Sequence, residues 1–167
     1  MLSAADSSAR MRRESTRNRI GSNHLLHERS FAATKLTHRP KSMPVRIVQL
    51  GTPRQSGEGL RIGTVRRPPR GVPKERHATD NWYDVWLPNL APSDALLRQI
   101  HGTLSWSAFE KKYRAELKRP EQAHLLNMLV AMSHHANFAV GCYCEDESRC
   151  HRSILRKLLQ ERGAKIG

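Results

Sequence analysis

The residues best suited to chemistry lie in one short segment near the end of the chain. Residues 141–155 have the sequence GCYCEDESRCHRSIL. This segment holds all three cysteines of the protein and a His-Arg pair: Cys142, Cys144, Cys150, His151 and Arg152. A thiolate can act as a nucleophile, an imidazole can transfer protons, and a guanidinium can grip an anion. The cluster therefore predicts a functional site, without naming its reaction.

The sequence around the cluster predicts a strand that leads into a helix. Residues 137–144 (NFAVGCYC) are apolar enough for a central strand. A helix should begin within residues 147–151 (ESRCH) and continue along an apolar stripe to Gly163, a natural C-terminal cap. This places Cys144 to Arg152 at the carboxyl end of a strand and the amino end of a helix, where open α/β sheets usually bind ligands.

The favoured interpretation of this junction is an anion-binding site. The first turn of a helix has unpaired N–H groups and a positive dipole end, and Arg149 and Arg152 add charged donors. The same field would make Cys150 more nucleophilic, with His151 as acid or base. We expect a phosphorylated or nucleotide-like ligand, which Cys144 also contacts, and thiol-dependent catalysis is a further hypothesis.

A metal site is the alternative at the same segment. The pattern C-x-C-x5-C-H supplies three thiols and one imidazole, which suits zinc in type and number. The spacing is unusual, because the adjacent Cys150 and His151 are hard to aim at one ion. We therefore predict no cofactor and no metal ligands, keep zinc as the less favoured alternative, and interpret Cys142 as a core residue.

Further elements follow from periodicity and capping signals. Strands are predicted at residues 45–50 (VRIVQL) and 60–65 (LRIGTV), and the proline-rich segment 66–77 should be a loop. Ser93 should cap a first helix, a second should span residues 105–117, and a third should follow Pro120.

Composition limits the class of protein. The 167 residues contain 29 Lys or Arg against 15 Asp or Glu. Residues 1–42 hold nine of the basic residues and three of the acidic ones. Residues 43–167 therefore hold the remaining 20 basic and 12 acidic residues. The excess predicts an anionic partner, with nucleic acid as one possibility. Residues 1–42 have a composition typical of a disordered basic leader or upstream extension, and residues 43–167 should form a single domain.

Cysteine usage and hydropathy indicate where the protein acts. Three cysteines are an odd number, and Cys142 and Cys144 lie too close along a strand for a relaxed disulfide. No run approaches the roughly 18 apolar residues that span a bilayer. We therefore expect a soluble protein of the reducing cytoplasm, with no membrane partner.

Several motifs together resemble the bacterial family called domain of unknown function 488. The likeness covers residues 43–167 and rests on RRPPRGVPKE, WLPNLAPS, WSAFEKKYRAEL and CHR before the last helix. The resemblance implies a small three-layer α/β fold with a short, mainly parallel sheet and about four helices. It implies no established activity. Relatives commonly carry an acid and a tryptophan where this chain has Val65 and Pro68.

The resemblance also draws attention to the basic loop as a second wall of the site. Arg66, Arg70 and Lys74 follow the second strand, and a parallel pairing with the last strand would open both loops on one edge of the sheet. Arg66 and Arg70 should then converge with Arg149 and Arg152, with Trp86 or Tyr83 available to stack on a base. The leading hypothesis is a small enzyme or ligand-binding domain; the alternative is a nucleic-acid-binding or regulatory module without catalysis.

Overall fold

The computed structural model describes residues 44–167, and its centre is a four-stranded parallel sheet. The strands are β1 (Arg46–Gln49), β2 (Leu60–Gly63), β3 (Val85–Trp86) and β4 (Phe138–Cys142). Their order in the sheet is β1-β4-β2-β3, and every pairing is parallel. All five residues of β4 are buried, as expected for a central strand.

Four α-helices complete the fold: α1 (Asp94–Ile100), α2 (Trp106–Glu116), α3 (Pro120–Met132) and α4 (His151–Glu161). Ser93 caps α1 by accepting a hydrogen bond from the Leu96 N–H, and Ser105 caps α2 in the same way. Pro120 occupies the first turn of α3, where its missing N–H costs nothing. The predicted α/β class, with its parallel sheet and four helices, is confirmed.

The sheet topology meets the condition under which the loops after the second and last strands share one edge, because β2 and β4 are parallel neighbours. Ile62 of β2 pairs with Val140 of β4, and Val140 also pairs with Ile47 of β1. The loops after β1, β2 and β4 therefore leave the same edge of the sheet. The short strand β3 lies in a segment that the sequence predicted only as extended or irregular, since Pro88 follows it closely.

The core lies between the sheet and the helices. Helix α4 contacts β4 and β1, and α2 and α3 pack against α4. The fully buried apolar residues of the core include Phe138 and Val140 from β4 and Ile154, Leu155 and Leu159 from α4. Within residues 44–167, no helix has the length and apolar character that crossing a membrane requires.

A buried ion pair ties two loops to the sheet. Arg61 of β2 is 0% exposed and Glu58 is 3% exposed, and the two side chains form a bidentate salt bridge. The Arg61 guanidinium also donates to the carbonyls of Thr52, at 2.9 Å, and Asn81, at 2.6 Å. A neighbouring pair, Arg54 and Asp84, forms two hydrogen bonds of 2.8 Å. This network holds the loops after β1 and before β3 in place.

The acidic partners of this network should make the fold sensitive to acid. Burial raises the pKa of Glu58, but hydrogen bonds from Arg61 and Gln55 outweigh it and hold that pKa below its ordinary value of 4.5. The pKa of Asp84 is likewise lowered, since hydrogen bonds from Arg54 and Arg61 outweigh burial. The folded state thus binds fewer protons than the unfolded state in acid, so its stability falls as pH falls.

We expect the free energy of unfolding to decline between about pH 5 and pH 3. Urea unfolding at a series of pH values would measure the decline. A Glu58→Gln variant, which lacks one of the titrating groups, should lose less stability over the same interval. Equal slopes for the two proteins would contradict a role for Glu58.

The prediction of a disordered leader in residues 1–42 concerns residues that lie outside the described part of the chain.

Candidate functional site

A cavity of about 910 Å³ opens at the carboxyl edge of the sheet. The ends of β1, β2 and β4 and the loops that follow them provide most of its walls. Its lining residues are Gln49, Leu50, Gly51, Thr52, Val65, Arg66, Arg67, Pro68, Pro69, Arg70, Trp82, Pro92, Leu97, Cys142, Tyr143, Cys144 and His151. No aspartate or glutamate is among them. Ligands of open α/β sheets usually bind at such an edge.

One wall of the cavity is the arginine loop after β2. Arg66 donates from Nε to the Pro92 carbonyl at 3.0 Å and from Nη2 to the Ala91 carbonyl at 2.7 Å, which fastens the loop before α1. Arg67 is exposed and lies 3.3 Å from a carboxylate oxygen of Asp94. Arg70 is exposed, and its side chain forms no ion pair or hydrogen bond within residues 44–167. The wall therefore presents donors that a ligand could use.

Two glycines let side chains at the carboxyl edge approach the sheet closely. A Cβ atom at Gly63 would lie 2.4 Å from Cδ1 of Tyr83, and one at Gly141 would lie 2.4 Å from Cδ2 of Leu50. Both distances are far shorter than van der Waals contact. Glycine at the ends of β2 and β4 is therefore required by packing.

Another part of the cavity borders the thiol cluster at the β4–α4 junction, through Cys142, Cys144 and His151. The Sγ atoms of Cys142 and Cys144 are 3.7 Å apart, and Cys150 Sγ lies 3.8 Å from His151 Nδ1. Sγ of Cys142, Sγ of Cys150 and a ring nitrogen of His151 all lie within 4.8 Å of one another. Cys142 and Cys150 are buried, whereas Cys144 is exposed, and all three thiols are free. The structure thus brings together the adjacent Cys150 and His151, although the spacing had suggested that the two would be hard to aim at one ion.

The imidazole of His151 has a defined orientation. Its Nε2 lies 2.7 Å from the carbonyl oxygen of Thr64, which can only accept a hydrogen bond, so Nε2 carries the proton. Burial lowers the pKa of His151 to about 4, which keeps the ring neutral at physiological pH. Nδ1 then has a free lone pair directed toward the sulfur of Cys150.

The three thiols have different acidities because they share one cluster. Hydrogen bonding to Cys142 and Cys150, together with the charge of Arg152, lowers the pKa of Cys144. Hydrogen bonding to Cys144, with burial, raises the pKa of Cys142. Hydrogen bonding to Cys142 and Cys144, with burial, raises the pKa of Cys150. The exposed thiol of Cys144 is therefore the most acidic of the three.

Arg152 lies beneath the loop that carries the cysteines. Its side chain is only 3% exposed, and Nη2 donates to the carbonyl of Glu145 at 2.9 Å. Within the described region, its Nε and Nη1 atoms are buried and have no hydrogen-bond partner. Buried polar groups normally have such a partner, so this side chain calls for an explanation.

The site residues named from the sequence fall into two groups. Arg66, Arg70, Cys144 and His151 line the cavity. The lining excludes three others: Cys150 and Arg152 are buried, and Arg149 is exposed on the turn before α4. The structure thus places Arg66 and Arg70 at the cavity. Arg149 and Arg152, which were expected to converge with them, do not line it. The catalytic roles of Cys150 and His151 stay predictions.

Sequence reasoning missed Arg67, Trp82 and Tyr143 as lining residues. It named Tyr83 and Trp86 as stacking candidates, but neither is in the lining, since Tyr83 is buried and Trp86 donates from Nε1 to the Val65 carbonyl at 2.8 Å. Trp82 directly precedes Tyr83 in the sequence, and this position was the signal that could have identified it as a stacking candidate. It packs edge-on against Tyr143, with ring centroids 5.6 Å apart.

Comparisons with known proteins agree with the motifs. A family model with the description "Active DUF488-N3 subclade" matches residues 45–163. A curated relative, the uncharacterized protein YeaO of Escherichia coli (strain K12), is 32% identical over 81 residues, which cover 48% of this chain and 67% of the relative. No solved structure matches the chain.

Proposed function

Since the chain belongs to the domain of unknown function 488 family, within its DUF488-N3a subclade, we propose from its cavity that it binds a phosphorylated or nucleotide-like anion. The observation that carries the proposal is the lining, which contains three arginines and no carboxylate. Arginine binds phosphate through paired, charge-assisted hydrogen bonds, and the lining has no carboxylate that would neutralise its positive charge. A reducing cytoplasm, in which the thiols stay free, is part of this proposal.

The available donors support binding of phosphate groups. Arg70 has no partner among the described residues, and Arg67 has only an exposed, 3.3 Å contact. An anion could engage both without breaking a buried interaction. Arg66 is already committed to the carbonyls of Ala91 and Pro92, so its main role is to hold the wall in position.

Aromatic surface beside the arginines fits the nucleotide-like part of the proposal. Trp82 and Tyr143 line the same cavity and are both only partly buried. Stacking of a base on an aromatic ring contributes about 1–3 kcal/mol in single-stranded nucleic-acid binding. A mononucleotide could therefore place its phosphate at Arg67 and Arg70 and its base against Trp82.

Titration calorimetry with AMP and with inorganic phosphate would test the proposal. We expect both probes to bind, with AMP binding more tightly. Hydrogen bonds to charged groups contribute about 1.5–3 kcal/mol, so Arg70→Ala should weaken binding by about 10- to 100-fold. Arg70 is exposed and forms no contact that the fold needs, so the variant should remain folded.

Arg149→Ala is the matched control, because Arg149 is also exposed and near the site but outside the cavity lining. It should change the affinity by less than about threefold, because an exposed charge outside the lining is screened by solvent and salt. Failure of both probes to bind, or equal losses for the two variants, would contradict the proposed site.

The alternative function is a nucleic-acid-binding or regulatory module, which the net charge of +14 favours. Binding of a single-stranded oligonucleotide with a steep salt dependence, while AMP fails to bind, would support it. A thiol-dependent reaction stays a prediction. Cys144 is the exposed thiol in the cavity, so it would meet a bound ligand before Cys150 could.

A further inference from the structure

The thiol cluster and His151 have the composition and spacing of a metal site. We propose that Cys142, Cys144, Cys150 and His151 bind one zinc ion in a closed, tetrahedral site. The proposal is independent of what the arginine wall binds. It goes beyond anion binding, because it assigns the three cysteines a structural role.

The distances between the donor atoms support this assignment. Zn–S bonds of about 2.3 Å in a tetrahedron require donors about 3.5–3.8 Å apart. The Cys142–Cys144 sulfur pair is separated by 3.7 Å, and the pair of Cys150 Sγ and His151 Nδ1 by 3.8 Å. The sulfurs of Cys142 and Cys150 and a ring nitrogen of His151 lie within 4.8 Å of one another, which places these three donors around a common centre. Cys144 lies outside that group of three, and its sulfur, 3.7 Å from that of Cys142, would move inward to complete the tetrahedron.

The orientation of His151 is also that of a metal ligand. Histidines that bind metals usually donate their second ring N–H to a carbonyl or carboxylate, which fixes the tautomer. Nε2 of His151 is 2.7 Å from the Thr64 carbonyl, so Nδ1 is left as the available donor. It is Nδ1 that lies near the sulfur of Cys150.

The charge of the site would explain the unpartnered atoms of Arg152. Three thiolates, a neutral imidazole and Zn²⁺ carry a net charge of −1, since the thiol protons pass to solvent on binding. A buried charge needs a counterpart. Arg152 is buried next in sequence to His151, and its Nε and Nη1 have no partner within residues 44–167. The guanidinium can balance the excess charge.

The donor types select the metal. Three sulfurs and one imidazole nitrogen suit zinc, whereas magnesium and calcium require oxygen ligands. All four positions come from the protein, as in structural zinc sites. Such a site would fasten the end of β4 to the start of α4 and so stabilise the wall of the cavity.

Native mass spectrometry of the full chain, purified without added metal, would test for a retained zinc ion. Metal-free protein should then bind one equivalent of Co²⁺ with the absorption of tetrahedral thiolate coordination, and Zn²⁺ should displace it. Zinc should also protect all three cysteines, including the exposed Cys144, from alkylation by iodoacetamide. These measurements need no variant, so they do not depend on how well a substituted protein folds.

Variants then identify the ligands. Substitution of groups that only orient metal ligands typically costs 10- to 100-fold in metal affinity. Loss of a ligand in Cys142→Ser, Cys144→Ser, Cys150→Ser or His151→Gln should therefore cost at least about 100-fold. His135→Gln, at an exposed histidine outside the cluster, should bind zinc like the wild type. No zinc or Co²⁺ binding by the wild type, or alkylation of Cys144 at the same rate with and without zinc, would overturn the proposal.

Discussion

Arg61→Met should lower the free energy of unfolding by about 3–5 kcal/mol, because removing one partner of a buried pair leaves the other charge uncompensated. Arg61 is 0% exposed and Glu58 is 3% exposed, so water cannot replace the lost contact. The carbonyls of Thr52 and Asn81 would also lose the hydrogen bond from Arg61, although the Asn81 carbonyl keeps one from the Gly51 N–H. Urea denaturation followed by circular dichroism would measure the change.

Two further variants test whether the loss in Arg61→Met comes from the burial of the pair and from the uncompensated charge of Glu58. Arg54→Met removes a guanidinium from the neighbouring pair, whose side chains are 27% exposed, and should cost only about 0–1 kcal/mol. Combining Arg61→Met with Glu58→Gln removes the stranded charge and should recover part of the loss. A loss below about 1 kcal/mol for Arg61→Met would show that the buried pair matters little to stability.

Leu155→Ala should lower the free energy of unfolding by about 2–5 kcal/mol, the usual cost of a cavity left by a buried leucine. Leu155 is 1% exposed and belongs to the main core. It also lies one turn after His151 on α4, so the two side chains share a face of the helix. Loosening this face should disturb the position of His151 as well as the core.

Gln160→Ala provides the comparison for Leu155→Ala, because Gln160 is exposed on the same helix. Its effect should stay within about 0.5 kcal/mol. Thermal and urea unfolding of both variants would check the difference. Similar losses for the two variants would contradict a specific contribution from the buried face of α4.

Much of the fold was predictable because its signals are local. Ser93, Ser105 and Pro120 are characteristic of helix starts, and each lies where its helix begins. The apolar run that became β4 is wholly buried. Strand β3 escaped prediction because a pair of residues has no detectable period, and its pairing with β2 depends on distant residues.

The candidate site was predictable in place but not in detail. The junction of β4 and α4 and the loop after β2 were expected to meet, and the parallel pairing of β2 with β4 confirms it. Which arginines would face the cavity was not predictable, because Arg66, Arg149 and Arg152 differ in burial and partners and not in residue type.

The cysteine segment likewise has features that the sequence predicts and features that only the fold decides. Residue types and spacing were enough to locate the thiols, the imidazole and the guanidinium at a strand-to-helix junction, and the family resemblance implied the parallel sheet. The fold added what depends on residues far away in the chain: Thr64 orients His151, burial distinguishes Cys142 and Cys150 from Cys144, and the loop of Glu145 covers Arg152. Solvent exposure and hydrogen-bond partners arise from contacts between distant segments, and local sequence patterns carry no information about those contacts.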